Sequence, residues 1–243
     1  MDINKTYTID DLLHILEVLR SEQGCPWDRE QTHETLKYYA VEEAWEVIDA
    51  LETKDAAMLA NELGDLLFQV VFQAQVAKEA GEFTFGDVVS EICRKLISRH
   101  THIFGDDKAE TPEEVSLLWE KNKMREKGLQ SVTEAMREVP RSFPALMRAQ
   151  KVNKKARKAS MGFQSSLLEA ADEVAELGQA FSDAAAAGNQ DKMKQKLGAL
   201  LFAAAGAADW MKIESETLLQ QQASCAIEQF AQWENSSNDP RSD

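Results

Sequence analysis

Between Glu42 and Gln69 the chain reads EEAWEVIDALETKDAAMLANELGDLLFQ. Glu42, Glu43, Glu46, Glu62 and Asp65 stand there among core-type residues: Trp45, Val47, Ile48, Leu63, Leu66, Leu67 and Phe68. At about 100° per residue, Glu42, Glu46 and Asp49 fall within a roughly 60° arc of one helix, with Glu43 beside it. Glu62, Asp65 and Gln69 share a similarly narrow arc on the next helix. Like charges about 5–6 Å apart repel by roughly 3 kcal/mol at an effective dielectric near 20, so this grouping calls for compensation. Oxygen ligands without His or Cys select a hard cation; Mg²⁺ fits best, with Mn²⁺ as a substitute. A solvated acidic face laced by helical salt bridges is the competing reading. A di-iron centre would want a Glu-x-x-His pair on each of two helices. The match here, Glu30 with His33, falls in an expected turn.

Helices must position these stripes, and only 11 Gly and 5 Pro punctuate the chain. Thr8 with Asp11 reads as a capping box opening a first helix that runs to about Glu22. The turn GCPWDREQT follows. A second helix is expected from about Glu34 to Glu52, and a third from Asp55 to Ala80, stopped by Gly81. Their short connection makes them antiparallel neighbours, so the acidic stripes can face one another across a groove. Thr84 with Asp87 caps a fourth helix ending near Gly105. Thr111, with Pro112 at the first helical position, opens a fifth that ends before Gly128. No run alternates convincingly with period two, so the fold class is all-α.

Gly128, Pro140 and Pro144 punctuate EKGLQSVTEAMREVPRSFPAL and place a junction between domains 1–130 and 131–243. Beyond it the pattern begins again. ELGDLLFQVVFQAQ at Glu62–Gln75 is echoed by KLGALLFAAAGAAD at Lys196–Asp209, and VEEAWEVIDA at Val41–Ala50 by ADEVAELGQA at Ala171–Ala180. Two matched helices in the same order suggest two tandem helical-bundle repeats. The last residues, ENSSNDPRSD from 234, read as a disordered polar tail.

Composition bounds the function. With 44% hydrophobic and 28% charged residues the chain is foldable, and its formal net charge is −15. That balance, taken as uninterrupted by a Lys/Arg block, argues against nucleic-acid and anionic-membrane partners. A metal ion could still bring in a small anionic substrate by inverting the local field. Cys25, Cys93 and Cys225 stand alone, without CxxC or Cys/His spacing. Reduced thiols and a cytoplasmic location are expected, Cys25 and Cys93 being packed. The opening MDINKTYTIDDL has no basic n-region before an apolar core, so no signal peptide is expected.

Glu43-Ala-Trp-Glu46 followed by Glu62-Leu-Gly-Asp65 resembles the E-x-x-E…E-x-x-D metal motif of all-α nucleoside triphosphate pyrophosphohydrolases. GCPWDREQTHETL, ELGDLLFQVVFQAQ, KLISRHTHIFGD and VPRSFPALMRAQK, in that order, closely resemble the MazG family. The likeness is strong from about Leu12 to Lys151 and weaker afterwards. It implies Mg²⁺-dependent hydrolysis of nucleoside triphosphates to monophosphate and pyrophosphate in a homodimeric helical fold. It assigns Glu43, Glu46, Glu62 and Asp65 as metal ligands, and leaves Glu42 as a base or outer-shell partner. It puts Lys95, Arg99, Trp119 and Lys123 near the nucleotide, with the aromatic suited to stacking on a base. The chemistry agrees: metal ions neutralise phosphate oxygens and lower the pKa of a water that attacks the α-phosphorus. Bland readings stand beside these, with the lysines solubilising a surface and Trp119 packing a core. Trp27 is expected in a structural or pocket-wall role, and His100 and His102 as helix-end hydrogen-bonding residues.

The second half departs from the pattern. Glu173 and Glu176 match Glu43 and Glu46, but Lys196 and Ala199 replace the second acidic pair. Cys225 and Gln229 stand where counterparts of Lys95 and Arg99 should be. The second repeat is therefore expected to be degenerate, with Lys196 held between Glu173 and Glu176 in place of a metal. Two alternatives remain: a narrow-specificity enzyme for a modified or deoxy-pyrimidine triphosphate, and a catalytically silent helical interaction module.

Overall fold

A computed structural model describes residues 5–159 and 165–237, and every regular element among them is helical. Two compact units result, Met1–Trp119 and Glu120–Asp243. The division falls inside a helix, α8 (Pro112–Glu126), opened as expected by Thr111 and Pro112.

The first unit is built on α1 (Ile9–Arg20), α4 (Tyr39–Thr53), α5 (Ala56–Ala80) and α6 (Phe85–Arg99). The Thr8–Asp11 box forms reciprocally: Thr8 Oγ1 accepts from the Asp11 N–H at 3.3 Å, and Asp11 Oδ2 from the Thr8 N–H at 2.9 Å. Asp11 is thereby held well below the usual carboxylate range, at about 2, first by the ammonium of Lys5 and then by Thr8. Thr84 and Asp87 repeat the device at α6. Leu16, Leu36, Val71 and Phe72 are fully buried together, with Leu12, Leu13, Leu19, Phe68, Val76 and Phe85 packed around them.

The turn after α1 is more ordered than its composition suggests. Pro26 opens a short helix, α2 (Pro26–Glu30), and a Thr32–Thr35 box opens α3 (His33–Leu36). Glu30 and His33 flank the bend between them, as expected. Gly24 is obligatory here, because a Cβ would lie 2.1 Å from the Leu19 carbonyl oxygen. The buried Arg20 ties these pieces together. Its Nη1 donates to the carbonyls of Asp28 and Gln31, while Nε and Nη2 grip Glu79 at 2.9 and 2.6 Å. Its guanidinium lies 5.4 Å from the Phe72 ring centroid.

Two helix bounds differ from expectation. The helix expected over Glu34–Glu52 is split at Lys37 and Tyr38, both of which keep right-handed helical angles. Leu36 is drawn into the core while Tyr38 is 73% exposed, so the ladder is offset rather than turned. The fourth helix stops at Arg99, because His100 (φ −96°, ψ 53°) leaves helical space. α7 (Thr101–Phe104) follows. Cys93 is exposed, not packed, since α6 buries no side chain fully in this unit; Cys25 is half-buried.

The second unit holds α9 (Val132–Arg137), α10 (Ala145–Lys158), α11 (Leu167–Ala186), α12 (Gln190–Trp210) and α13 (Ser215–Ser237). α10 packs on α12 through the buried Asn153, which donates to the Phe202 carbonyl at 3.0 Å. Gly206 faces Asn153, whose Oδ1 would lie 3.0 Å from an added Cβ. Gln150 closes the start of α13, donating to the Ile213 carbonyl and accepting from the Ser215 N–H, both at 2.8 Å. α13 continues to Ser237, beyond the expected start of the tail; residues 238–243 lie outside the described ones.

Candidate metal centre

α4 and α5 meet through Lys54 and Asp55, and this tight link sets the register of their acidic faces. Lys54 takes left-handed angles (φ 59°, ψ 24°), and Asp55 caps α5 by accepting from the Ala57 N–H at 2.8 Å. In the resulting pair Glu43, Glu62 and Asp65 each offer an oxygen, and these oxygens lie within 4.8 Å of one another. Glu46 stands against Glu62, near enough for their carboxyl groups to share a hydrogen bond. Glu42 is exposed on the same helix.

The electrostatics match the crowding. Glu43 is pushed above its ordinary carboxylate value by desolvation and then by the charges of Asp65, Glu42 and Glu62. Glu46 is raised by desolvation and then by Glu43 and Glu62. Two amides mitigate this. The buried Gln69 donates Nε2 to Glu43 Oε1 at 3.4 Å, and Asn61 Nδ2 approaches Glu62 Oε1 at 3.3 Å and Asp65 Oδ2 at 3.2 Å. Gln69 Oε1 is buried without a donor. Asn61 escaped the sequence reading, although its i,i+4 spacing to Asp65 was the available signal.

The other expected site residues have surroundings of their own. Lys95, on α6, pairs with Glu91 one turn earlier at 3.3 Å. Arg99 lies 5.3 Å from the ring centroid of Trp119, which the His100 ring meets edge-on at 4.8 Å. Trp119 is therefore half-buried in a local cation–aromatic stack. Lys123 lines a cavity of about 330 Å³ in the second unit, with Lys127, Lys151 and Lys155. His100 Nδ1 donates to the Leu96 carbonyl at 2.7 Å, a helix-end role as expected. His102 departs from it, its Nδ1 being buried without a partner. Trp27 is half-exposed and meets Tyr39 edge-on at 6.3 Å.

In the second unit α11 carries Glu173 and Glu176, and α12 carries Lys196 and Ala199. Among the described residues Lys196 makes no ion pair with either glutamate, so the expected internal substitute for a metal is not formed. The acid fixed by cations here is Asp209, gripped by Arg157 and lying 3.6 Å from Lys154.

The MazG nucleotide pyrophosphohydrolase domain model matches residues 31–104, a span containing all the proposed carboxylates. A nucleoside triphosphate pyrophosphohydrolase of Escherichia coli (strain K12) is 44% identical over 222 residues, 87% of this chain and 81% of that one. The nucleoside triphosphate pyrophosphohydrolase/pyrophosphatase MazG of Thermotoga maritima is 36% identical over 225 residues, 93% of this chain and 85% of that one. A solved mazG-related protein from Thermotoga maritima is 29% identical with a TM-score of 0.41, covering 47% of this chain and 98% of its own.

Proposed function

The chain belongs to the MazG family of nucleotide pyrophosphohydrolases, and from that premise we propose that its first unit cleaves nucleoside triphosphates to monophosphate and pyrophosphate. The observation that carries this reading is the convergence of Glu43, Glu62 and Asp65 within 4.8 Å across the α4–α5 pair, with Glu46 alongside.

The donor set suits a hard divalent cation. It is all oxygen, it is crowded enough to raise two carboxyl pKa values, and the amides of Gln69 and Asn61 answer it without charge. Glu43, Glu46, Glu62 and Asp65 would hold Mg²⁺, or Mn²⁺ in its stead. When bound, such an ion supplies charge neutralisation for the triphosphate and a lowered pKa for water at the α-phosphorus. Glu42, solvent-facing beside this set, acts as a proton acceptor or orients a ligand from outside. Lys95 exchanges Glu91 for phosphate oxygens, and Arg99 adds to that capture. Trp119, with a guanidinium on its ring, offers a flat surface for a base.

The exposed Leu63, Leu67, Val70, Ile92 and Leu96 on α5 and α6 support a homodimer, because a monomer leaves them in water. No helix of the described residues is long and apolar enough to cross a membrane. A cytoplasmic setting suits the free thiols and the nucleotide substrate. The second unit is read as a degenerate repeat serving packing or dimerisation. Its α11–α12 turn also has a left-handed residue, Gly188 at φ 62°, as Lys54 is in the α4–α5 turn.

A panel of nucleoside triphosphates with and without Mg²⁺ tests the reading, with products resolved by chromatography. Monophosphate plus pyrophosphate is expected. Diphosphate plus phosphate would overturn the reaction assignment, and a chain silent on every triphosphate would be the interaction module instead.

A further inference from the structure

α10 breaks the acidic balance of the chain. Its charged residues are Arg148, Lys151, Lys154, Lys155, Arg157 and Lys158, with no acid among them, so the expectation of a sequence without a basic block fails here. Most of these cations have partners: Lys155 pairs with Glu120 at 3.3 Å, and Lys154 and Arg157 serve Asp209. Arg148 is different. Among the described residues its side chain makes no hydrogen bond or ion pair, and its Nε is buried without an acceptor. A buried N–H donor lacking an acceptor is costly, and on the half-buried Arg148 it leaves the Nε–H available to an incoming acceptor.

Arg148 lines a cavity of about 290 Å³ that also receives Arg137, from the last turn of α9, and Thr133. Arg137 likewise has no partner among the described residues. Met136, Val152 and Phe202 form the apolar side. The neighbouring lysine-lined cavity is a weaker candidate, because Glu120 and Glu138 already answer Lys155 and Lys127 within it.

We propose that the Arg137–Arg148 cavity binds a phosphoryl anion carried by a small molecule. Two guanidinium forks match two phosphoryl charges better than one carboxylate, and the Thr133 hydroxyl adds a neutral donor. The cavity has the size of a small-ligand site, and its apolar side accommodates the non-phosphate part of a phosphomonoester. Free pyrophosphate and a nucleoside monophosphate share this chemistry.

The full chain, in EDTA so that the carboxylate centre holds no metal, is titrated calorimetrically with pyrophosphate and separately with AMP. Saturable binding at one equivalent per chain is expected, weakened about tenfold or more by Arg137→Ala and by Arg148→Gln and reduced by added salt. Tighter binding of AMP assigns a phosphomonoester, and tighter binding of pyrophosphate assigns the inorganic ion. If Arg148→Gln does not fold, the exposed Arg137→Ala decides alone. Absence of saturation by either probe at millimolar concentration, or an affinity unchanged in Arg137→Ala, overturns the proposal.

Discussion

Replacing Glu43 by Gln should make the metal-free protein more stable while disabling it. Unit charges 4.8 Å apart repel by about 3.5 kcal/mol at a dielectric near 20 and by about 0.9 kcal/mol in water. Glu43 faces Glu62 and Asp65 but is only half-buried, so the values near the water limit apply. Relief of about 1–2 kcal/mol follows, raising the melting temperature by about 3–6 °C. The glutamine keeps an oxygen that can accept from Gln69 Nε2, so no hydrogen bond need be lost. Thermal unfolding by circular dichroism, in EDTA at low salt, measures the difference, and added NaCl should shrink it. Mg²⁺ should then raise the melting temperature of the wild type more than that of the variant. A variant that melts at or below the wild-type temperature in EDTA would refute the reasoning, since the carboxylates would then not be in conflict.

Glu46→Gln and Asp65→Asn should each abolish pyrophosphate release while preserving helicity, and the Glu62→Gln/Asp65→Asn double variant should retain no turnover, because no second acidic trio is present among the described residues. Coupled pyrophosphate detection checks both, and residual turnover in the double variant would locate activity elsewhere. Arg20→Ala should cost about 3 kcal/mol in urea denaturation, because it removes a buried donor from Glu79 and from the Asp28 and Gln31 carbonyls at once; Arg20→Lys should recover only part. Glu79 and Glu17 are held below their ordinary values chiefly by hydrogen bonds from Arg20 and Lys78. Their stabilisation is therefore present above the unfolded carboxyl pKa and lost as pH falls through the depressed folded values. Glu79→Gln should flatten that acid limb in a series of melts from neutral pH downward.

What sequence could reveal depended on distance along the chain. The capping boxes at Thr8 and Thr84, the all-helical class and the acidic stripes of α4 and α5 rest on neighbours three or four residues apart, and they were legible. Asn61 obeys the same rule, but an amide beside acids carries no signal of its own. Arg20 was invisible for a different reason. Its partners are a carboxylate on α5 and two backbone carbonyls, and periodicity reports neither. The break at Lys37 and Tyr38 goes with side chains that part between core and water, Leu36 buried and Tyr38 exposed. Cys93 runs against its residue type: thiols are usually packed, but α6 leaves its surface open in this unit. Lys196 had the right charge opposite Glu173 and Glu176, yet charge on facing helices does not guarantee contact.

The two-residue link at Lys54 and Asp55 bears on how the protein folds. Every ligand proposed for the metal lies in one contiguous helical hairpin, so the site asks for little loop-closure entropy and no contact from the far end of the chain. Such hairpins can assemble on the microsecond scale of local structure, ahead of the packing of α1 against α5. The mutual repulsion of Glu43, Glu62 and Asp65 would oppose that early docking, and a divalent ion captured by the nascent hairpin would reverse the sign. The cation would then serve first as a folding nucleus, and the rate of refolding should depend on its concentration.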